Sequence, residues 1–222
     1  MKGASRECRL KIGTLAAMCM CAAAMPAAGQ FGLRGGVNLT KFVGHDASNI
    51  ESTRGLNFGG TVNLIHIGWV SIVPEVYYSQ KGGKQFDPAD ATTFDFGLDY
   101  IEVPVLLKVS FPIKGWLRGY VDGGPTYAWN VDCSISAVSA TTDGSISSTE
   151  CGQTFRSYNT AMQKADHGVA GGGGLDFAVA GLGGLNLDAR VVRGLERLRE
   201  GPTGTDLKNQ AFTLMLGWYI GR

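Results

Sequence analysis

The stretch "YIEVPVLLKVSF", residues 100–111, carries two messages at once. Ile101, Val103, Val105, Leu107 and Val109 form an unbroken apolar alternation, while Glu102 and Lys108 lie at the opposite parity with Pro104 between them. Side chains alternate across a β-strand, so this segment presents one greasy face and one charged face. The fold question is which environment takes each face.

The same period-2 pattern recurs along the chain. Phe31, Leu33, Val37 and Leu39 oppose Arg34, Asn38 and Thr40. Leu56, Phe58, Val62 and Leu64 oppose Asn57, Thr61 and Asn63, and Val70, Ile72, Val76 and Tyr78 oppose Ser71, Glu75, Ser79 and Lys81. Leu117, Val121, Tyr127 and Trp129 oppose Arg118, Asp122 and Thr126. The glycine-rich segment at 166–177 sets Val169, Leu175 and Phe177 against Asp166 and Asp176. Leu185, Leu187 and Val191 oppose Asn186, Asp188 and Arg190, and Phe212, Leu214, Leu216, Trp218 and Ile220 close the series. These segments predict eight strands. Most are longer than the five or six residues of a soluble strand, and they suit the roughly 9–11 residues that a tilted strand needs to cross a bilayer.

The connections alternate in length. "HIG", "PIKG" and "VAGLG" are short, whereas Lys41–Arg54, Gly82–Phe96, Asn130–Ala165 and Gly194–Lys208 are long. An even strand count with short turns at one end and long loops at the other is the pattern of an outer-membrane barrel. In hydrocarbon every backbone N–H and C=O must be paired within the protein, and a closed sheet does this without an edge. The expected fold is therefore all-β, an eight-stranded antiparallel up-and-down transmembrane β-barrel with short periplasmic turns and long extracellular loops. The apolar parity faces lipid and the polar parity faces the lumen. Tyr77, Tyr78, Trp69, Trp116, Trp129 and Trp218, near segment ends, are expected in interfacial girdles. Pro74 and Pro104 cannot donate to a ladder, so bulges or local widening are expected there. A soluble lipocalin-like barrel, greasy inside, has the same parity. Its outer face would carry more Lys and Glu than the Gly, Ser, Thr and Asn that fill the polar parity here.

The N-terminal residues support export. Lys2, Arg6, Arg9 and Lys11 precede an apolar stretch, "IGTLAAMCMCAAAM", and small residues follow in "PAAGQ". That is the layout of a signal peptide, expected to span residues 1–29 and to leave 30–222 as the barrel domain. Charged residues are only 18% of the chain, and no basic cluster is dense enough to indicate nucleic acid. Of five cysteines, Cys8, Cys19 and Cys21 lie in the leader, leaving Cys133 and Cys151. Both fall in the long loop 130–165, in an oxidising compartment, and a disulfide between them is expected.

Several stretches place the chain beside a known family. "GLRGGVNLTKF" at 32–42, "PEVYYSQKG" at 74–82, "DYIEVPVLLKVSF" at 99–111, "GGPTYAW" at 123–129, "LDARVVRGL" at 187–195 and "KNQAFTLMLGWYI" at 208–220 occur in the order found in PorT-type outer-membrane β-barrel proteins of bacteria, which the sequence resembles over essentially all of residues 30–222. The resemblance implies a signal peptide, an eight-stranded barrel and an outer-membrane address. One branch of the family takes part in protein secretion and gliding, and most relatives have no assigned activity. The closing strand departs from the usual terminal aromatic and ends "WYIGR".

The residues expected to line the lumen as a charge network are Arg34, Glu75, Lys81, Glu102, Lys108, Arg118, Asp122, Asp176, Asp188 and Arg190. Their signs are mixed, and an unpaired buried charge costs several kcal/mol, so mutual pairing is expected, with Lys81 or Arg118 as the partner of Glu102. Eight strands leave an interior just wide enough for side chains, which disfavours a pore. His45, His66 and His167 show no metal spacing, "DHG" at 166–168 with Ser157 nearby lacks a nucleophile motif, and "GGGG" at 171–174 lacks the context and the lysine of a phosphate loop. No cofactor is expected. The functional expectation is a non-enzymatic barrel, monomeric in the membrane among outer-membrane lipid, that anchors or scaffolds and meets a protein partner through loop 130–165. A link to secretion machinery enters from the resemblance alone. A lipid-modifying enzyme and a narrow small-solute channel are the alternatives.

Overall fold

Alternating sequence becomes extended backbone wherever both faces of the strand are satisfied. The computed structural model describes residues 30–43, 50–87, 92–139, 147–150, 165–196 and 208–220. The expected leader, residues 1–29, lies outside them. Among the described residues ten strands form: β1 (Gln30–Val43), β2 (Ile50–Asn63), β3 (Ile65–Ile67), β4 (Val70–Asp87), β5 (Thr92–Lys114), β6 (Leu117–Ser139), β7 (Ser147–Glu150), β8 (Ala165–Val179), β9 (Gly183–Gly194) and β10 (Lys208–Ile220). Eight of them make one closed antiparallel sheet in the order β2-β1-β10-β9-β8-β6-β5-β4, and β4 pairs back on β2. The short β3 extends the β2–β4 hairpin, and β7 pairs the outer part of β6.

The register defines the barrel. From Lys41 the cross-strand row runs through Gln210, Arg193, Val169, Pro125, Val105, Pro74 and Val62. It returns to β1 at Phe31, ten residues from its start. Eight strands with that stagger correspond to a tilt of about 40°, the usual geometry of small outer-membrane barrels.

Burial follows the alternation. Leu33, Val37, Leu56, Phe58, Val105, Leu107, Val121, Leu187, Leu214 and Leu216 are exposed on the outer wall, while Arg34, Asn38, Glu75, Ser79, Glu102, Thr126, Asp188 and Arg190 are buried inside. The outer wall is therefore apolar and the interior polar. That is inside-out relative to a soluble barrel and matches a hydrocarbon surround. The lumen still admits one apolar patch, where Leu106, Ala170 and Val192 pack together.

Toward β5, Pro74 is absorbed without a slip in register, as is Pro104 toward β6, but toward β2 and β3 a one-residue bulge forms at Pro74, between Thr61↔Glu75 and Ile65↔Ile72, as expected. The β4–β5 ladder opens between Pro74↔Val105 and Tyr77↔Glu102, and the β5–β6 ladder between Pro104↔Thr126 and Leu107↔Gly123. Further register shifts occur between Asp99 and Tyr100, between Pro112 and Lys114, and between Ser52 and Asn57. Close backbone approach explains the lumenal glycines. A Cβ on Gly124 would lie 2.1 Å from the Val105 carbonyl oxygen, and one on Gly174 would lie 2.5 Å from the Tyr120 hydroxyl. In the β8–β9 turn Gly181 and Gly183 have φ of 77° and 94°, a region that L-residues rarely adopt.

Three expectations need correction. Lys41–Arg54, Gly82–Phe96 and Asn130–Ala165 are not loops throughout. β1 continues to Val43 and β2 starts at Ile50. β4 continues to Asp87, β5 starts at Thr92, and β6 continues to Ser139. β5 and β6 have 23 residues each, about twice what a tilted bilayer span requires. "TTFDFGLD" and "NVDCSISAVS" pair with each other across Thr92↔Ser139 to Asp99↔Asp132, so the sheet runs on beyond the apolar band as a ridge. The first ten residues of the expected long loop, 130–139, are therefore strand. The long polar stretches contain alternating β-branched and aromatic residues that backbone pairing can recruit even in water.

Closure generates a test. Gly124→Ile should abolish the fast-migrating folded band that unboiled barrel protein gives on an SDS gel. Gly35→Ala should keep it, because the nearest atom to a Cβ there is 4.0 Å away. A folded band of wild-type intensity from Gly124→Ile would contradict this backbone packing.

Candidate functional site

The polar parity of eight strands converges on the barrel axis. Arg34 on β1 donates through Nη1 to Glu75 Oε1 on β4 at 2.8 Å. Arg190 on β9 donates through Nη1 to the other oxygen of the same carboxylate. β4 and β9 lie four strands apart around the barrel, so this contact bridges its full diameter. The second Arg190 nitrogen, Nη2, reaches Asp122 Oδ2 and Asp188 Oδ2, each at 3.1 Å. Arg34 also lies 3.7 Å from Asp188. Asp188 further accepts from the Tyr120 hydroxyl at 2.7 Å, and Arg34 Nη1 donates to the Tyr77 hydroxyl at 3.4 Å.

Geometry and sign explain this cluster. Two guanidiniums face three carboxylates, and the planar Arg fork contacts two groups at once. Moving charges out of water costs several kcal/mol each unless they are paired and hydrogen-bonded, and here each charged side chain has at least one partner of opposite sign. Tyr77 lies inside this cluster at 2% exposure, not in an interfacial girdle as its sequence neighbourhood suggested. Its parity matches Glu75, and its hydroxyl finds a partner only in the lumen.

Toward the short turns the network continues. Lys108 pairs with Asp176 at 2.6 Å and lies 3.8 Å from the centroid of the Tyr120 ring. Asn186 donates to Asp176 at 2.7 Å and to the Tyr120 hydroxyl at 2.9 Å. Below this level a cavity of about 1110 Å³ opens, lined among others by Lys108, Arg118, Asp176, Asn186 and Tyr219. Arg118 is exposed in this vestibule, and its cross-strand neighbour Asp176 turns to Lys108 instead. Toward the long loops Lys81 and Glu102 pair on adjoining strands, with Lys81 5.5 Å from the Tyr100 ring. Between these levels Asn38 donates to Ser79 at 2.9 Å and accepts from Thr213 at 2.8 Å, a neutral layer above the ion cluster.

Sequence reasoning named the charges and put Asn38 and Asn186 on their parity, but it missed Tyr77 and Tyr120 as their partners. Tyr77, Tyr120, Asn186 and Asn38 share the inward parity, which was the available signal, but parity does not say which groups meet across the axis. His167 lies elsewhere. It bonds to Glu196 rather than to Asp166, and its ring packs edge-on against Tyr127 at 4.1 Å on the outer wall. Ser157 lies outside the described residues, as do His45 and Cys151. Cys133 sits on the ridge portion of β6. Among the described residues no group of three or more His, Cys, Asp or Glu side chains could hold a metal ion.

The network generates a stability test. Arg190→Met leaves Glu75, Asp122 and Asp188 without their shared cation. It should lower the urea midpoint of the detergent-folded barrel by the equivalent of roughly 3–5 kcal/mol. Lys81→Met combined with Glu102→Leu should cost less than either single change, because no charge is left stranded. Additive losses in that pair would show that the two side chains act separately.

Comparison with known proteins agrees with this architecture. Residues 26–199 match the model of a family described as outer membrane protein beta-barrel domain. A major outer membrane protein from Thermus thermophilus is similar in structure, with a TM-score of 0.51, 9% identity, and coverage of 87% of this chain and 100% of that one. The outer membrane protein OprG from Pseudomonas aeruginosa gives 0.48 at 12% identity over 88% and 98%. The attachment invasion locus protein Ail of Yersinia pestis, solved with the heparin analogue sucrose octasulfate, gives 0.42 at 14% identity over 87% and 99%. At these identities the likeness concerns the fold. Comparison with curated proteins gave no match.

Proposed function

This chain belongs to the outer membrane protein beta-barrel domain family and lies in the bacterial outer membrane, and from that premise we propose that it is a non-enzymatic, PorT-type anchoring barrel that holds a protein partner on its extracellular ridge. One observation carries the reading. The Glu75–Arg190 contact crosses the lumen, while β4, β5 and β6 run on past the apolar band and add β7. A barrel bridged across its axis invests its excess chain in the rim. Loops and edges on a rigid scaffold commonly carry binding.

A scaffold for protein secretion is the form of this role that the PorT resemblance supports. Removal of residues 1–29 as a leader belongs to the same reading. A small-solute channel would need the arginines to leave the axis. A lipid-modifying enzyme would need a nucleophile within reach of Nε2 of His167, whose Nδ1 engages Glu196.

The test replaces Ser134–Glu150 with a short Gly-Ser linker in the full-length protein. The variant should insert and remain heat-modifiable, yet lose the protein cross-linked to it in native outer membrane. Retention of the same cross-linked partner would move binding to the barrel wall or to the other loops.

The proposal includes a Cys133–Cys151 disulfide that ties the distal hairpin to β6. Closing a loop of this size stabilises by roughly 3 kcal/mol in the chain-entropy model. Thiol labelling of denatured, unreduced protein should find neither cysteine reactive, and labelling of both would remove the bridge from the proposal.

A further inference from the structure

Among the described residues, the outer wall at the long-loop rim gathers the cations that make no ion pair on one arc. Arg54 on β2, Lys41 on β1, Lys208 on β10 and Arg193 on β9 occupy four adjoining strands. Each has the outward parity: Arg54 with Leu56 and Phe58, Lys41 with Val37 and Leu39, Lys208 with Phe212 and Leu214, and Arg193 with Val191. The register places Arg54 opposite Leu39, Lys208 opposite Val43, and Gln210 between Lys41 and Arg193. Cross-strand rows descend from β2 toward β9 as the strands tilt, and the four α-carbons fall within roughly 8 Å of one level. Trp129 and Tyr127, which pack on each other at 5.7 Å, mark the same rim on β6. Aromatic pairs of this kind sit at the headgroup boundary.

Charge balance separates this arc from the rest of the rim. None of the four cations forms an ion pair among the described residues. Elsewhere on the rim Asp99 accepts from the Tyr78 hydroxyl, Asp95 pairs with Lys84, and Glu196 pairs with His167. Glu51, further out on β2, lies cross-strand from Lys84. Four like charges spread over three strand spacings, about 15 Å, repel one another unless an anion lies among them. Lysine and arginine stems lie well along an apolar wall while their heads reach the headgroup layer.

We propose that this arc is a binding site for the phosphate groups of a phosphorylated glycolipid in the outer leaflet. Arg54 and Arg193 present forked donors that match phosphate oxygens in pairs, and Lys41 and Lys208 supply point charges between them. The outward apolar residues below, Leu39, Phe212 and Val191, take the acyl chains of the same molecule. The site is independent of the ridge and of any protein partner.

The test uses the full-length protein in nanodiscs and two probes, bisphosphorylated lipid A and the same lipid after phosphatase treatment. Native mass spectrometry should find the phosphorylated lipid retained about tenfold or more over the dephosphorylated one. The triple variant Arg54→Gln/Lys41→Gln/Arg193→Gln should lose this preference while keeping its heat-modifiable migration, and Lys84→Gln/Lys114→Gln should keep it. Equal retention of both lipids by the wild-type protein overturns the proposal. So does an unchanged preference in the triple variant, and if that variant does not insert, the wild-type ratio decides alone.

Discussion

Hydrocarbon offers no hydrogen-bond partner to a peptide group, and the rest of this structure depends on that constraint. A sheet that ends in lipid leaves a row of unpaired N–H and C=O groups. The ladder between β1 and β10, from Phe31↔Ile220 to Val43↔Lys208, removes the edge by joining the first and last strands. Once the sheet closes on eight strands with a ten-residue stagger, the lumen has a set width. The interior must then be filled by whatever the inward parity supplies.

The inward parity supplies charge, and the ion cluster follows from it. In a soluble barrel the interior would be the hydrophobic core. Here the hydrophobic driving force is satisfied on the outside, and the inside is stabilised by pairing. Arg190 is central because it is long enough to cross from β9 to β4 and flat enough to meet three carboxylates. Glycine completes the arrangement, since Gly174 and Gly172 leave the space that the Tyr120 ring and the Arg190 side chain occupy. The packing is thus complementary between large polar side chains and bare backbone, rather than between apolar side chains.

The two ends of the barrel carry different chemistry. The short-turn end opens into a vestibule of mixed polar and apolar lining whose ceiling is the Lys108–Asp176 pair. The long-loop end is asymmetric around its circumference. β4, β5 and β6 extend into a ridge, while β2, β1, β10 and β9 stop near an arc of cations that make no ion pair among the described residues. A rim divided in this way can engage lipid on one side and protein on the other without the two competing.

Strand identity and side-chain facing were legible in the sequence, because the β period of two is local and any residue's parity can be read from its neighbours. "YIEVPVLLKVSF" alone shows which residues share the apolar face, and Glu102, Asp188 and Arg190 were placed on the polar parity by the same count. What parity cannot contain is distance around the barrel. The meeting of Glu75 with Arg190, 115 residues apart, depends on strand number and stagger, which are properties of the closed sheet and not of any segment. The same limit explains Tyr77, assigned by its aromatic neighbourhood to the interface and held in the lumen by Arg34. It also explains the ridge, where polar residues 92–99 and 132–139 become strand because each lies beside the other. The sequence by itself determined which residues share a face; the closure of the sheet decided whom each residue meets, because only closure brings strands from opposite sides of the chain's circuit across a single axis.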